Sequence, residues 1–170
     1  MKMVAEVPRN GETVGEIVVR GNVVMAGYYN DAEATAQAMR EGWFHTGDSA
    51  VIHPDGYIEI RDRLKDVIIS GGENISSVEV EGVLLRHPAV QEVAIVGLPD
   101  ERWGESPHAF VVLKNGAVAS ADELREFARS HLAHFKAPHS VTFIEALPKT
   151  ATGKIQKYVL RGGRRAIAKQ

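Results

Sequence analysis

Asp62-Arg63-Leu64-Lys65-Asp66-Val67-Ile68-Ile69-Ser70-Gly71-Gly72-Glu73-Asn74-Ile75 is where this sequence changes character. The stretch opens on charges of both signs around one leucine. It passes into a β-branched run of strand length and breaks on two adjacent glycines. As a solvated connector, the charged part would form local ion pairs worth roughly 0–1 kcal/mol each. As a hinge, it would let a few residues at an element's end absorb a large backbone rotation. The glycines allow positive φ or close approach of the backbone to a ligand, or serve only as a strand-to-helix turn. They do not form the G-x-G-x-x-G of a dinucleotide site.

Upstream of this stretch the chain reads as strands and turns. Gly15 to Gly21 is a short β-rich run, and Asp31 is placed to cap an Ala-rich helix over Ala32 to Arg40, closed by Gly42. Ser49 to His53 and Tyr57 to Arg61 flank Pro54-Asp55-Gly56, which predicts a hairpin. Downstream, Ser76 or Ser77 caps a helix running to about His87, with Val78, Val80, Val83, Leu84 and Leu85 as its apolar side and Pro88 as its stop. Val90 to Leu98 and Ala109 to Leu113 are apolar runs of strand length. Ser120 caps an amphipathic helix bearing Leu124, Phe127, Ala128 and Leu132, Ser140 to Ile144 is a further strand, and a last helix follows Gln156. The predicted fold is therefore α/β (α+β). A β-rich first part over residues 1–62 is followed by a compact domain with a small mixed sheet flanked by helices.

Composition narrows the function classes. The chain has 170 residues, 44% hydrophobic and 25% charged, with a formal net charge of -2, the balance of a globular domain with no field aimed at nucleic acid. It has no cysteine, which removes disulfides, thiolate metal sites and cysteine nucleophiles and fits the cytoplasm. No apolar run approaches the ~20 residues of a membrane helix. The N-terminus does not read as a secretory signal, and the basic tail from Arg161 reads as a solvated end. No H-x-x-x-H or H-E-x-x-H pair on a helix and no G-x-S-x-G elbow is present, so the metal expectation is none.

Two further motifs carry possible chemistry. In Trp43-Phe44-His45-Thr46-Gly47-Asp48 a carboxylate follows two bulky aromatics. It can accept hydrogen bonds from both hydroxyls of a ribose, or bond its own backbone in a turn. Leu147-Pro148-Lys149-Thr150-Ala151-Thr152-Gly153-Lys154-Ile155 is not a phosphate loop of the G-x-x-x-x-G-K-[ST] kind, because Pro148 and Ile155 stand where Gly and Ser/Thr are needed. What remains is a lysine on a small-residue loop, either a surface lysine or a mobile point charge.

Taken in order, these stretches resemble the late core motifs of the adenylate-forming acyl-CoA synthetases (the AMP-dependent synthetase and ligase family). The resemblance runs through Gly15-Glu16-Ile17-Val18, Gly27-Tyr28-Tyr29, Gly42 to Asp48, Asp62 to Ile75, Val96-Gly97-Leu98-Pro99-Asp100 with Trp103-Gly104-Glu105, and Pro148 to Lys154. It covers nearly the whole chain and is most like the branch acting on short- and medium-chain fatty acids, although Ser76-Ser77 stands where many members carry a proline.

The resemblance implies that Asp48 holds the ATP ribose and that Arg63 also contacts the nucleotide. It places Lys65 at the hinge, Gly71 and Gly72 in the pantetheine-tunnel loop, and Lys154 as the catalytic lysine of adenylation. It also implies ATP, CoA and Mg2+ as cofactors, bound mainly by a large N-terminal domain whose Ser/Thr/Gly-rich phosphate loop this chain lacks. Residues 1–62 would be the end of that domain, 63–66 the hinge and 67–170 the mobile lid. The expected partners are a carboxylic acid, ATP and CoA, with self-association through exposed N-terminal strands and no activity in isolation. Two alternatives stand beside this reading: a stand-alone interaction module derived from such an enzyme, and an adenylation domain acting on a carrier protein.

Overall fold

The computed structural model describes residues 5–162, and the basic tail beyond Gly162 lies outside them. The chain divides into two compact units, one ending at Lys65 and the other beginning at Asp66, within the charged connector.

The first unit is a three-stranded antiparallel sheet in the order β1-β2-β3, built from β1 (Gly15–Val19), β2 (Phe44–Ile52) and β3 (Ile58–Arg63). Helix α1 (Ala32–Ala38) lies between β1 and β2 in sequence, and Asp31 caps it by accepting the Ala34 N–H. The Pro54-Asp55-Gly56 turn joins β2 to β3, with Gly56 at φ 90° as the tight reversal demands. Strand β2 starts at Phe44, five residues before the sequence expectation. Gly47, at φ 74°, reads as a break in the sequence, yet it sits inside the strand, within the register shift against β1, and the shift against β3 follows at Ser49–Ala50. Asp48 therefore lies on an irregular strand, not in a turn.

The second unit holds β4 (Ile68–Ser70), β5 (Glu73–Ile75), α2 (Ser77–Leu84), β6 (Val90–Asp100), β7 (Gly104–Leu113), α3 (Ala121–Arg129), β8 (Ser140–Phe143) and α4 (Lys157–Arg161). Its sheet runs β5-β4-β7-β6, with β8 added parallel to β7, so it is mixed. Ser76 caps α2, and Ser120 with Glu123 forms a complete capping box on α3.

Side chains alternate across the central strands and build a core on each face. Val93, Ile95, Ala109 and Val111 pack with Val80 and Leu84 of α2 and Leu124 and Ala128 of α3. Ala94, Val96, Phe110 and Val112 pack with Leu147 and with Leu160 of α4.

Two strands differ from the expectation. Glu73–Ile75 returns antiparallel to β4 instead of ending it, and β7 begins at Gly104, not Ala109. The early part of β7 is polar because Ser106 and His108 are buried there. The His108 ring lies within hydrogen-bonding distance of the Ser140 and Thr142 hydroxyls of β8. Among the described residues no helix is long and apolar enough to cross a membrane.

Candidate functional site

In the first unit, Asp48 and Arg63 are directly opposed on β2 and β3, and Arg63 Nε donates to Asp48 Oδ1 at 2.8 Å. The strand irregularity at Gly47 sets where this pair stands, and a second carboxylate holds that irregularity. Glu16 of β1 accepts the Gly47 N–H at 3.1 Å with one oxygen. Its other oxygen lies 2.7 Å from His45 Nδ1 and 3.0 Å from Arg40. Burial pushes the Glu16 carboxyl up, but the bonds to His45 and Gly47 and the charges of His45 and Arg40 outweigh it. The group therefore titrates below its ordinary value. The far ring nitrogen of His45, Nε2, is buried and has no hydrogen-bond partner among the described residues. The sequence named Asp48 but not Glu16, whose signal was only the Gly-Glu at the head of a strand.

Lys65 lies exposed in the 3-10 turn Leu64–Asp66 at the junction of the units, and Asp66 beside it is buried. In the second unit, Gly71 and Gly72 form the turn between β4 and β5 at φ 59° and 89°, a region that favours glycine. Trp103 packs on this turn. Gly71 donates its N–H to the Trp103 carbonyl at 2.9 Å, and a Cβ on Gly71 would meet the indole at 2.8 Å. The Trp103 turn is tied in its own right. Asp100 accepts the N–H groups of Trp103 and Arg102, which hold its carboxyl below the usual range. Arg102 covers the outer face of the ring, 4.5 Å from its centroid.

Lys154 is exposed at the end of a tight hairpin closed by the Lys149–Ile155 bridge. Inside it, Thr150 N–H donates to the Lys154 carbonyl and Gly153 N–H to the Thr150 carbonyl, both at 2.9 Å. Lys154 N–H reaches the Thr150 hydroxyl at 3.1 Å. The structure thus joins Asp48 with Arg63, and Gly71 with Gly72, and sets Lys154 on its own loop. Among the described residues no group of three or more His, Asp or Glu side chains is placed to hold a metal ion.

Residues 79–154 match the AMP-binding enzyme C-terminal domain. The chain carries that domain of the adenylate-forming enzymes. A probable CoA ligase of Humulus lupulus, CCL11, is 58% identical over 91% of the chain, and the 2-methylpropanoate–CoA ligase CCL4 of the same plant is 56% identical over 92%. The ATP-bound structure of MatB from Rhodopseudomonas palustris superposes on 92% of the chain with a TM-score of 0.84 at 37% identity. This AMP-binding C-terminal domain and the strands before it span 28% of CCL11, 29% of CCL4 and 31% of the MatB chain.

Proposed function

We propose that this chain is the C-terminal part of an acid–CoA ligase, which converts a carboxylate, ATP and CoA to acyl-CoA, AMP and pyrophosphate. The observation that carries the reading is the extent of the match. Identity of 58% to an enzyme named a CoA ligase runs over 91% of the chain and so through both units. In this reading Asp48 accepts hydrogen bonds from the ATP ribose, and Arg63, already paired with it, contacts the nucleotide as well. Residues 63–66 are the hinge, with Lys65 at its turning point, between the end of a large domain (1–62) and a lid (67–170). The turn at Gly71 and Gly72 lines the path of the pantetheine thiol. Short- and medium-chain fatty acids are the proposed acyl class, and the cytoplasm the proposed compartment.

The chemistry follows from charge. Attack of the carboxylate on the α-phosphate and departure of pyrophosphate concentrate negative charge, which a positioned ammonium stabilises. Lys154 supplies a compact charge on a long stem, suited to a contact made in one half-reaction and released in the other. Magnesium would enter with the ATP phosphates and be held mainly outside this chain. A lid over the site also keeps water from a hydrolysable acyl-adenylate.

The test separates the two half-reactions in the longer enzyme. Lys154→Ala should lower acid-dependent ATP–pyrophosphate exchange about 100-fold or more. It should largely spare thioester formation from supplied acyl-adenylate. Equal loss of both would overturn the role. The 170-residue chain by itself should release no AMP from ATP and a fatty acid, and sustained release would refute the proposal of a dependent part.

Tyr57, Ile58 and Ile60 are exposed on and beside β3, the kind of apolar patch that drives self-association when a large partner surface is missing. A stand-alone interaction module is the second reading, and light scattering decides, since a module predicts a clean monomer and a dependent part predicts concentration-dependent self-association. Whether the acyl acceptor is CoA or a carrier protein is settled by offering both thiols to the acyl-adenylate.

A further inference from the structure

The hairpin that carries Lys154 is well bonded within itself, but those bonds do not fix its direction relative to the sheet. Three polar ties outside it do. On the incoming side, Lys149 reaches Glu92 of β6 at 2.7 Å. On the outgoing side, the chain enters α4 immediately after the hairpin, and Lys157, in its first turn, is largely buried. Its ammonium lies 2.6 Å from the Ser77 hydroxyl and 2.7 Å from Glu81 Oε1, both on α2. The same Glu81 oxygen accepts the Ile95 N–H at 2.8 Å.

Strand β6 is the last in its sheet, so the outward N–H of Ile95 has no strand partner and a carboxylate satisfies it instead. Glu81 thus closes the sheet edge, and Lys157 neutralises Glu81. One turn further on, Leu160 is fully buried in the core, and Arg161 pairs with Asp66, the first residue after Lys65. Helix α4 therefore links the start of the second unit to the lysine hairpin through groups that are all buried or partly buried.

We propose that Lys157 and Glu81 are positioning residues for Lys154. Their ion pair, braced by Ser77 and by the Ile95 N–H, fixes the root of the lysine hairpin on the sheet edge. The Arg161–Asp66 pair ties the same helix to the hinge side, so that the hairpin moves with the hinge as one body. The inference rests on the proposed role of Lys154 in adenylation. A surface lysine would need no such anchor, because its loop could sample many directions without consequence. An exposed cation that must meet a phosphate loses rate when its loop wanders by about 1 Å.

The test uses two readouts. In the 170-residue chain, Lys157→Met keeps the length of the side chain and removes the charge. Amide hydrogen exchange at Gln156 and Val159, whose N–H groups bond the Pro148 and Gln156 carbonyls at the hairpin root, should quicken about ten-fold or more, while β6–β7 amides stay unchanged. Lys157→Arg should restore protection. Glu81→Gln keeps an acceptor for Ile95 but loses the ion pair, and it should act like Lys157→Met. If Lys157→Met also strips protection from β6–β7, Glu81→Gln decides by the same criterion.

In the longer enzyme, the charge-removing variants should lower adenylation about ten-fold or more, with thioester formation from supplied acyl-adenylate retained. Unchanged exchange at the hairpin root, or equal loss of both half-reactions, overturns the proposal. If Lys154→Ala leaves adenylation intact, the failure belongs to the proposed function, while the exchange experiment still reads the anchoring on its own.

Discussion

Gly71 and Gly72 are adjacent, and the environment of each assigns it a different task. Both have positive φ, where a Cβ meets the following carbonyl and costs about 1–2 kcal/mol. At Gly72 nothing lies within 4 Å of an added Cβ, so Gly72→Ala should destabilise by that amount alone. At Gly71 the same atom would strike the Trp103 indole at 2.8 Å, adding an overpacking term of about 1–3 kcal/mol. Urea denaturation should rank Gly71→Ala clearly below Gly72→Ala, and equal losses would mean that the indole swings aside at no cost.

Glu16 gives a prediction of a different kind. Its folded-state carboxyl titrates below the ordinary value near 4.5, so the stability it supplies is fully present above that value and is lost as pH falls through the lower folded one. The advantage of wild type over Glu16→Gln should be constant near neutral pH and shrink only in acid, below about pH 4.5. Thermal melts at several pH values check this. A difference that grows as acid is added would contradict the arrangement around Gly47.

At the level of elements, what could be read from the residues was whatever local chemistry dictates. Asp31, Ser76 and Ser120 each mark a helix start, because a short oxygen-bearing side chain satisfies an N–H that the helix leaves unpaired. Pro54-Asp55-Gly56 marks its hairpin for an equally local reason. The elements that differ are held by their pairing partners and not by their own residues, whether the partner is adjacent in the chain, as β4 is to β5, or well separated along it, as β8 is from β7. Polar Glu73-Asn74 becomes a strand only because β4 lies beside it, and Ser106 and His108 are tolerated inside β7 because β8 brings hydroxyls to the ring.

The candidate site divides in the same way. Asp48, Arg63 and Lys154 stand in recognisable runs. Glu16, Glu81 and Lys157 matter through contacts spanning tens of residues that no local pattern encodes. The local elements also carry local energies. Ser120→Ala removes the oxygen that accepts the Glu123 N–H and should cost about 1 kcal/mol, with Ser120→Gly costing less because glycine leaves that end accessible to water. Chemical denaturation of the two variants tests this, and a cost for alanine within error of zero would mean that the capping box is not formed in solution.

Over the whole molecule, burial is shared very unevenly between the two units. Among the described residues, the buried apolar side chains of the first unit are Ala50 and Val51, while both core clusters belong to the second. Ordering a residue's backbone costs about 1–2 kcal/mol. Burying a large apolar side chain returns about 1.5–3 kcal/mol. The second unit collects that return on two faces of its sheet, but the first has little to set against its ordering cost and leaves Ile58 and Ile60 in water. In the 170-residue chain, β2 and β3 should therefore open locally, and their amides should exchange about 100-fold or more faster than those of β6 and β7. In the longer enzyme, where the proposed function gives the β-rich unit a large domain to join, the same amides should become protected while β6 and β7 change little. Hydrogen exchange followed by mass spectrometry on both chains makes the comparison. Equal protection of β2–β3 and β6–β7 in the 170-residue chain would show that the first unit is stable unaided, which is what a stand-alone module requires and a dependent part of a ligase does not.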